Sequence, residues 1–465
     1  VRTRPRWFFP GLFALLLASR LCHLDILWAE ETLPLAAARQ MLDGKTLYRD
    51  IWFDKPPLWP VVYLPIGAST GWPLRLGGAL YVLLACWIAF RFARDLWSPA
   101  EGFWAAGLLG FFLVFDFPSA VIPVASDLLM LAPHLAAVWL SWKRRPFLSG
   151  VVAGLALAIN PKGFFVLGAC ALWNPSGIPL LAAGFVSATA ATVGAMWAGG
   201  ALPGYWQEVW KWGVLYARAP LTEQPLSTGL TRTAGWAGFH LALIAAACWF
   251  LRREYSQRLQ WAAWCLLSFL GVAAGLRFFP RYYFLLLAPA VLMAARGFQL
   301  MGRQAAIVVA LLLLVPMVRF GPRYVWLAGG NTTWTDTLMD QDSRRTAALT
   351  RTLAHPGDTL FVWGYRPELY VYTGLRAATR FLDCQPLTSV PADRHLTDST
   401  ALETEGARAR RAELTRSSPN FVIDGLGLYN PQLAITRYTD LADWFTHYHE
   451  AARTNQTVIY ARNAP

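Results

Sequence analysis

Long apolar runs alternate with short polar stretches from the N-terminus to about Arg319. Runs of this kind read as helices that cross a bilayer. The first covers about Trp7 to Leu24, and the second Arg75 to Trp97. Phe103 to Phe117 follows, then a helix opened by Asp127 and closed at Lys143, Arg144 and Arg145. Leu148 to Asn160 and Phe164 to Trp173 are short and joined by Asn-Pro-Lys-Gly. The series continues with Ile178–Trp197, Ala234–Phe250, Leu259–Leu276, Tyr283–Ala295 and Ala305–Val318. The reading is a polytopic α-helical membrane protein of about 11 transmembrane helices. Pro56 to Thr70 is apolar but broken by Pro60 and Pro65, too short for a full crossing, and reads as an interfacial or re-entrant segment. Counting it as a crossing would also invert every later basic cluster.

One stretch breaks the pattern. Trp28 to Leu58, within an outer loop over residues 25–74, holds five acids and four bases between apolar runs. A short helix is expected in it, with Thr32 as cap, Pro34 in the first turn and Gly44 at the end. Glu30 and Glu31 then stand just before the positive end of that helix, which favours ionised carboxylates. The long loop Gly199 to Arg232, with Trp206, Trp210 and Trp212, suits a surface lying on the bilayer.

Polar composition takes over after Arg319, and residues 321–465 read as a second domain beside the helical domain, residues 1–320. DTLFVWG, TRFLD and NFVIDG look like strands. Arg344–Leu353, Glu405–Thr415 and Leu441–Tyr448 look helical, which suggests a small C-terminal α/β domain. It carries no glycine-rich phosphate fingerprint, no serine nucleophile elbow and no metal-ligand spacing.

Composition agrees with a membrane protein. The chain is 55% hydrophobic and 15% charged, against roughly 25% charged for a soluble domain. Its net charge of +13 lies mainly in short loops, so it reads as membrane topology rather than a nucleic-acid footprint. The positive-inside rule puts Arg2, Arg4 and Arg6 in the cytoplasm, and the Trp28–Leu58 loop and the C-terminal domain outside. No small-residue cleavage site follows the first span, which is expected to stay as a helix. The six cysteines form no CxxC pair, and five lie in apolar runs as small buried hydrophobes.

Outer helix ends gather Glu30, Glu31, Asp54, Lys55, Asp127, Lys162, Arg277 and Arg281. Charges near bilayer depth are costly and are functional candidates by default. Each also has an ordinary reading: Asp127 as an N-cap, Lys162 as a turn residue, the arginines as interface anchors, the whole loop as solvated surface. Acids and bases together on one face suit a reaction with a proton acceptor and a phosphate leaving group. Asp54 and Asp127 are candidate ligands for a divalent cation, being hard oxygen donors, though two carboxylates make a minimal set. His23, His134 and His240 lie in or near apolar runs and read as core residues.

These features in this order resemble the GT-C superfamily of membrane glycosyltransferases, in the bacterial branch of protein O-mannosyltransferases and lipid A aminoarabinose transferases. The family's acidic pair in the first outer loop corresponds to AEETLPLAAARQML, and its acid before Lys-Pro-Pro to YRDIWFDKPPL. Asp127 matches an Asp at the outer start of the fourth helix, AINPKGF a lysine turn, and RFFPRYYFLLLAPA a late Arg-x-x-Pro-x-Tyr stretch. The likeness covers Trp7 to about Ala295. Glu30 stands where the family usually has Asp, and a histidine that helps bind metal in some relatives has no counterpart.

The resemblance implies a glycosyltransferase that moves a hexosyl or pentosyl group from a polyprenyl phosphate to an extracytoplasmic lipid, glycan or protein, with inversion, at a bacterial inner membrane. Glu30 would be the base, or Glu31 in its place, and Lys55 with Arg277, Arg281 and Lys162 the phosphate ligands. Glu31 would support the loop by pairing with Arg39 or Arg49. The alternative class is a lipid or lipid-linked sugar transporter, which calls for polar residues at mid-depth and often an inverted repeat. A membrane scaffold would explain the C-terminal domain but not the charged loop.

Overall fold

Helices account for most of the chain up to Ala328, and a five-stranded sheet organises the remainder. The computed structural model describes residues 6–218, 224–331, 333–395, 399 and 403–464. Arg2, Arg4, part of the Gly199–Arg232 stretch and Pro465 lie outside the described residues.

Every apolar run identified above contains helix. Among the described residues four helices are long and apolar enough to cross a membrane: Trp72–Leu96, Pro175–Ala198, Pro280–Leu300 and Arg303–Ala328. The bent pair Pro225–Phe239 and Leu241–Arg253 would make five. Phe8–Leu21, Pro146–Ile159 and Gly163–Trp173 are apolar but shorter. Leu180, Val186 and Trp197 on one long helix, and Val308, Val318 and Val325 on another, face outward. Such outward apolar faces suit lipid, and the chain is a multi-pass membrane protein.

Backbone proximity sets the packing of the shorter helices. Pro146–Ile159 carries Gly150 and Gly154 four residues apart, against Gly184 and Ala188 on Ile178–Ala198. A Cβ on Gly150 would stand 2.0 Å from the Leu181 carbonyl oxygen, and one on Gly184 2.0 Å from that of Phe147. Small residues at this spacing let two helices touch backbone to backbone where the apolar solvent supplies little drive for association.

Several expectations are corrected. The loop helix runs Ala29–Leu42, so Glu30 and Glu31 lie in its first turn rather than before it. Thr32 sits inside it and donates to the Ala29 carbonyl instead of capping. The stop is as expected, with Gly44 at φ +90° just beyond the end. Pro56–Thr70 forms only two short turns, Leu58–Val61 and Leu64–Ile66, neither long enough to span. Gly199–Arg232 is largely helical where described. Ala234–Phe250 is not one straight helix: the axis turns by 85° at His240. There the His240 ring stacks between Phe112 and Trp236, and its Nδ1 bonds the Trp236 carbonyl. The last apolar helix continues through Gly321 to Ala328. Composition changes inside it because its final turns pack Tyr324 and Arg323 against polar partners, Val114 O and Asp336.

The sheet consists of β1 (Thr359–Trp363), β2 (Arg376–Ala377), β3 (Phe421–Asp424), β4 (Tyr448–Arg453) and β5 (Val458–Arg462), in the order β2-β1-β3-β5-β4. β1 is parallel to β2 and β3, while β5 is antiparallel to β3 and β4. Two of the three expected strands are present. TRFLD is not a strand, because Arg380 is committed to a carboxylate, Glu208, and Thr379 to a local turn. The helix expected over Leu441–Tyr448 is reduced to Ala442–Phe445, and Tyr448 already belongs to β4. The helix Thr335–Leu353 begins earlier than Arg344.

Candidate active site

Adjacent positions on a helix point about 100° apart, and this separates the two acids of the loop helix. Glu31 turns inward and is fully buried. Its carboxylate takes two bonds from Arg75, at 2.9 and 3.0 Å, and a third from the Val124 amide at 2.9 Å. Arg75 also donates to the His23 and Ile26 carbonyls. The expected partners Arg39 and Arg49 are thus replaced by Arg75, a residue that the sequence presented only as a helix start. A lone arginine beside an apolar run was the available signal. Arg49 instead pairs with Asp50 at the surface.

Glu30 turns the other way, into a cavity of about 190 Å³. Asp54, Lys55, Trp59 and Arg281 line the same cavity, with Tyr216 and Phe279. The sheet-bearing part of the chain closes it with Tyr365, Gln385 and Asp393. Glu30 Oε1 accepts from Arg281 Nη1 at 2.5 Å. Arg281 lies 3.6 Å from Asp127 through its Nε and stacks over Phe279 at 4.8 Å.

Lys55 is held by its backbone as much as by its charge. Two prolines follow it and fix the local chain. Tyr48 donates to the Lys55 carbonyl at 2.6 Å, and Glu208 accepts from the Phe53 amide at 2.9 Å. Trp52 donates from its amide to the Arg380 carbonyl, which ties this strip to the sheet-bearing part. The Lys55 ammonium bonds Asp54 and stands 5.0 Å over the Tyr216 ring.

Asp127 does not cap its helix: Ala125 holds the cap position, and the Asp127 carboxylate reaches sideways to Lys162 at 3.0 Å and Asn160 at 3.2 Å. Lys162 sits in a turn that Gly163 makes possible, since a Cβ there would stand 2.4 Å from the Leu157 nitrogen. Arg277 lies between Leu276 and Phe278, both at positive φ, 52° and 49°. Non-glycine residues held this way cost about 1–3 kcal/mol each and cluster at functional sites. Arg277 bonds Asp393, donates to the Tyr216 carbonyl and stacks on the Tyr216 ring at 3.8 Å.

The expected basic set therefore falls into two layers. Lys55 and Arg281 line the cavity, whereas Lys162 and Arg277 stand behind it, each joined to a carboxylate. Sequence reasoning missed the aromatic wall and the contribution of the sheet-bearing part. Asp383, fully buried just behind Gln385, accepts from the Gln385 amide and side chain, and burial pushes its carboxyl up to about 7. Burial likewise raises the Tyr365 phenol.

Asp54 and Asp127 each bond a lysine ammonium, and among the described residues no group of three or more His, Cys, Asp or Glu side chains could hold a metal ion. This donor set does not fit a dication, which takes several oxygen ligands free of competing cations. A larger cavity, about 580 Å³, lies between Phe8–Leu21 and the segment from Leu327 to Arg344, and among its lining residues only Asp25 and Arg344 are charged. The smaller cavity is the one lined by Glu30, Asp54, Lys55, Arg281 and Asp393 together.

No family model matches the chain, and no curated protein matches it in sequence. Solved structures do. ArnT from Cupriavidus metallidurans bound to undecaprenyl phosphate aligns at a TM-score of 0.61 and 15% identity, over 98% of this chain and 97% of that one. The apo state of the same protein gives 0.59 and 14%, over 97% and 96%. The archaeal oligosaccharyltransferase AglB from Archaeoglobus fulgidus, in complex with an inhibitory peptide and a dolichol-phosphate, gives 0.47 and 11%, over 98% and 74%. The chain thus shares nearly its whole fold with ArnT.

Proposed function

We propose that this protein is a glycosyltransferase that moves a sugar from a polyprenyl-phosphate carrier to an acceptor hydroxyl. One observation carries the reading: in a fold shared with ArnT, a carboxylate with one oxygen bonded to a cation, Glu30, faces the same small cavity as the two basic side chains Lys55 and Arg281. A proton acceptor and cations for a phosphate leaving group then share one cavity, as sugar transfer from a phosphate carrier needs. Glu30 takes the proton from the acceptor hydroxyl as its oxygen bonds the anomeric carbon. The bond from that carbon to phosphate breaks, and the electron pair leaves with the phosphate. Lys55 and Arg281 hold the charge that develops there. A single in-line attack inverts the anomeric centre.

Lys162 and Arg277 orient the cavity from behind through Asp127 and Asp393. Residues 1–320 form the helical domain with about 11 crossings, and residues 321–465 an extracytoplasmic domain that closes the cavity over the acceptor. The protein sits in a bacterial inner membrane, and its acceptor is a lipid, glycan or protein. ArnT bound to undecaprenyl phosphate supports the carrier class. A cavity at the helix ends, rather than polar groups at mid-depth, favours this over a lipid or lipid-linked sugar transporter.

The test uses purified protein with a polyprenyl-phosphate sugar of known anomeric configuration. Transfer with inverted configuration is expected, read by NMR of the product. Lys55→Ala is expected to weaken binding of polyprenyl phosphate by roughly tenfold or more, the scale of one charge-assisted bond. Unchanged affinity would make Lys55 an ordinary surface residue.

A further inference from the structure

The four basic side chains expected to bind phosphate each already have an acidic partner. Lys55 bonds Asp54, Lys162 bonds Asp127, Arg277 bonds Asp393 and Arg281 bonds Glu30. In the first three the acidic member has no proposed part in the reaction. The fourth joins the proposed base directly to a proposed phosphate ligand. An oxygen occupied by a guanidinium N–H does not have that lone pair free for an acceptor hydroxyl. A guanidinium turned to a carboxylate is likewise not fully free for phosphate.

Arg281 does not depend on Glu30 for its place. Its Nε stays within 3.6 Å of Asp127, whose other oxygen is held by Lys162 at 3.0 Å. Its guanidinium lies on Phe279, and its backbone belongs to the turn Pro280–Tyr283. Glu30 stands in the first turn of its helix with about a fifth of its side chain exposed, on the cavity side. Of the two, Glu30 is the one free to let go.

We propose that Arg281 is shared between base and donor: it holds Glu30 in the free protein and passes to the donor phosphate on binding, which releases Glu30 Oε1 for the acceptor proton. This rests on the transferase reading above. The charges balance through the cycle. The sugar phosphodiester brings one negative charge and replaces Glu30 at Arg281. In the transfer step the acceptor proton goes to Glu30, the acceptor oxygen bonds the anomeric carbon, and the phosphate leaves with the electron pair and a second negative charge. When Glu30 later gives up its proton, it competes again for Arg281 and helps the polyprenyl phosphate depart. Oε1 of the base is therefore free only while a donor is bound.

The consequence runs against ordinary expectation for a catalytic residue, since removing the Glu30 charge should tighten ligand binding. Undecaprenyl phosphate is the probe, titrated by calorimetry into the purified full-length protein in detergent. Glu30→Gln is expected to bind it roughly threefold to tenfold more tightly than the unaltered chain, the range of one charge-assisted bond. Glu30→Ala, which lacks the amide oxygen, is expected to move the same way. Arg281→Gln is expected to bind more weakly. In the Arg281→Gln background, Glu30→Gln is expected to change affinity less than about twofold, because the coupling runs through Arg281. Equal or weaker binding by Glu30→Gln would overturn the sharing, and so would a tightening that persists without Arg281. If Glu30→Gln loses transfer at unchanged affinity, the transferase reading stands and the sharing falls. If the unaltered chain does not bind the probe, the functional reading falls with it.

Discussion

Glu30 and Glu31 are neighbours in sequence and end in opposite environments, one facing a cavity and one sealed in the bundle. The acidic pair was legible as a feature, and so was the divergence of its two side chains. The partner of Glu31 was not, because it comes from Arg75, 44 positions away, and sequence spacing favours nearby bases. Burial changes the expected phenotype. A surface pair is worth about 0–1 kcal/mol, whereas removing one member of a buried pair costs about 3–5 kcal/mol. Glu31→Gln and Arg75→Gln should therefore lower the thermal unfolding midpoint in detergent clearly. Glu31→Gln should also keep measurable transfer in whatever fraction stays folded. An unchanged midpoint would mean that the Glu31–Arg75 contact is not a structural support. Tyr365, Gln385 and Asp393 were invisible in the sequence because they lie in a bend and two short helices that carry no motif and reach the cavity only through the tertiary fold.

Element positions were the most legible part, because apolar run length reports directly on membrane-crossing helices. What failed was local geometry. The Ala234–Phe250 run looked continuous in hydropathy, yet it breaks at His240, where ring stacking with Phe112 and Trp236 outweighs helix continuity. TRFLD was misread because its apolar residues are buried without a ladder. The close contact between Pro146–Ile159 and Ile178–Ala198 went unread although Gly150 and Gly154 announce it. This contact bears on the site, since Pro146–Ile159 leads directly into the Lys162 turn. Gly150→Leu has no room against the Leu181 backbone and should force the helices apart. The expected result is low yield of folded protein and a shifted size-exclusion profile. Val152→Leu, on the same helix but partly exposed, should leave both unchanged. Normal folding of Gly150→Leu would show that the packing is looser than the geometry indicates.

The whole molecule brings ends of separate helices together at two places. One holds Glu30, Arg281, Asp127 and Lys162. The other holds Asp95 with Lys143 and Arg94, and Arg296 with Glu101. Alternating topology read from basic clusters assigns the first group to outer ends and the second to inner ends. The sheet-bearing part covers the first group, so it shares that side of the membrane in the proposed orientation. A reporter fused after Asn463 should be active only when exposed outside the cytoplasm. Activity of a cytoplasm-only reporter at that position would invert the orientation and remove Glu30 from the extracytoplasmic face. The division of labour between the two parts was only half legible: a second α/β unit was expected, but not that it would supply one wall of the cavity.

The central claim is that Glu30 is the base of a sugar transfer from polyprenyl phosphate. The most direct measurement is single-turnover transfer by purified Glu30→Gln beside the unaltered chain, at saturating polyprenyl-phosphate donor. Loss of a positioned base typically slows such a step by about 10²–10⁴-fold. A loss of that size is predicted, with donor binding retained and the unfolding midpoint within a few degrees of the unaltered chain. Near-full turnover by Glu30→Gln would contradict the account.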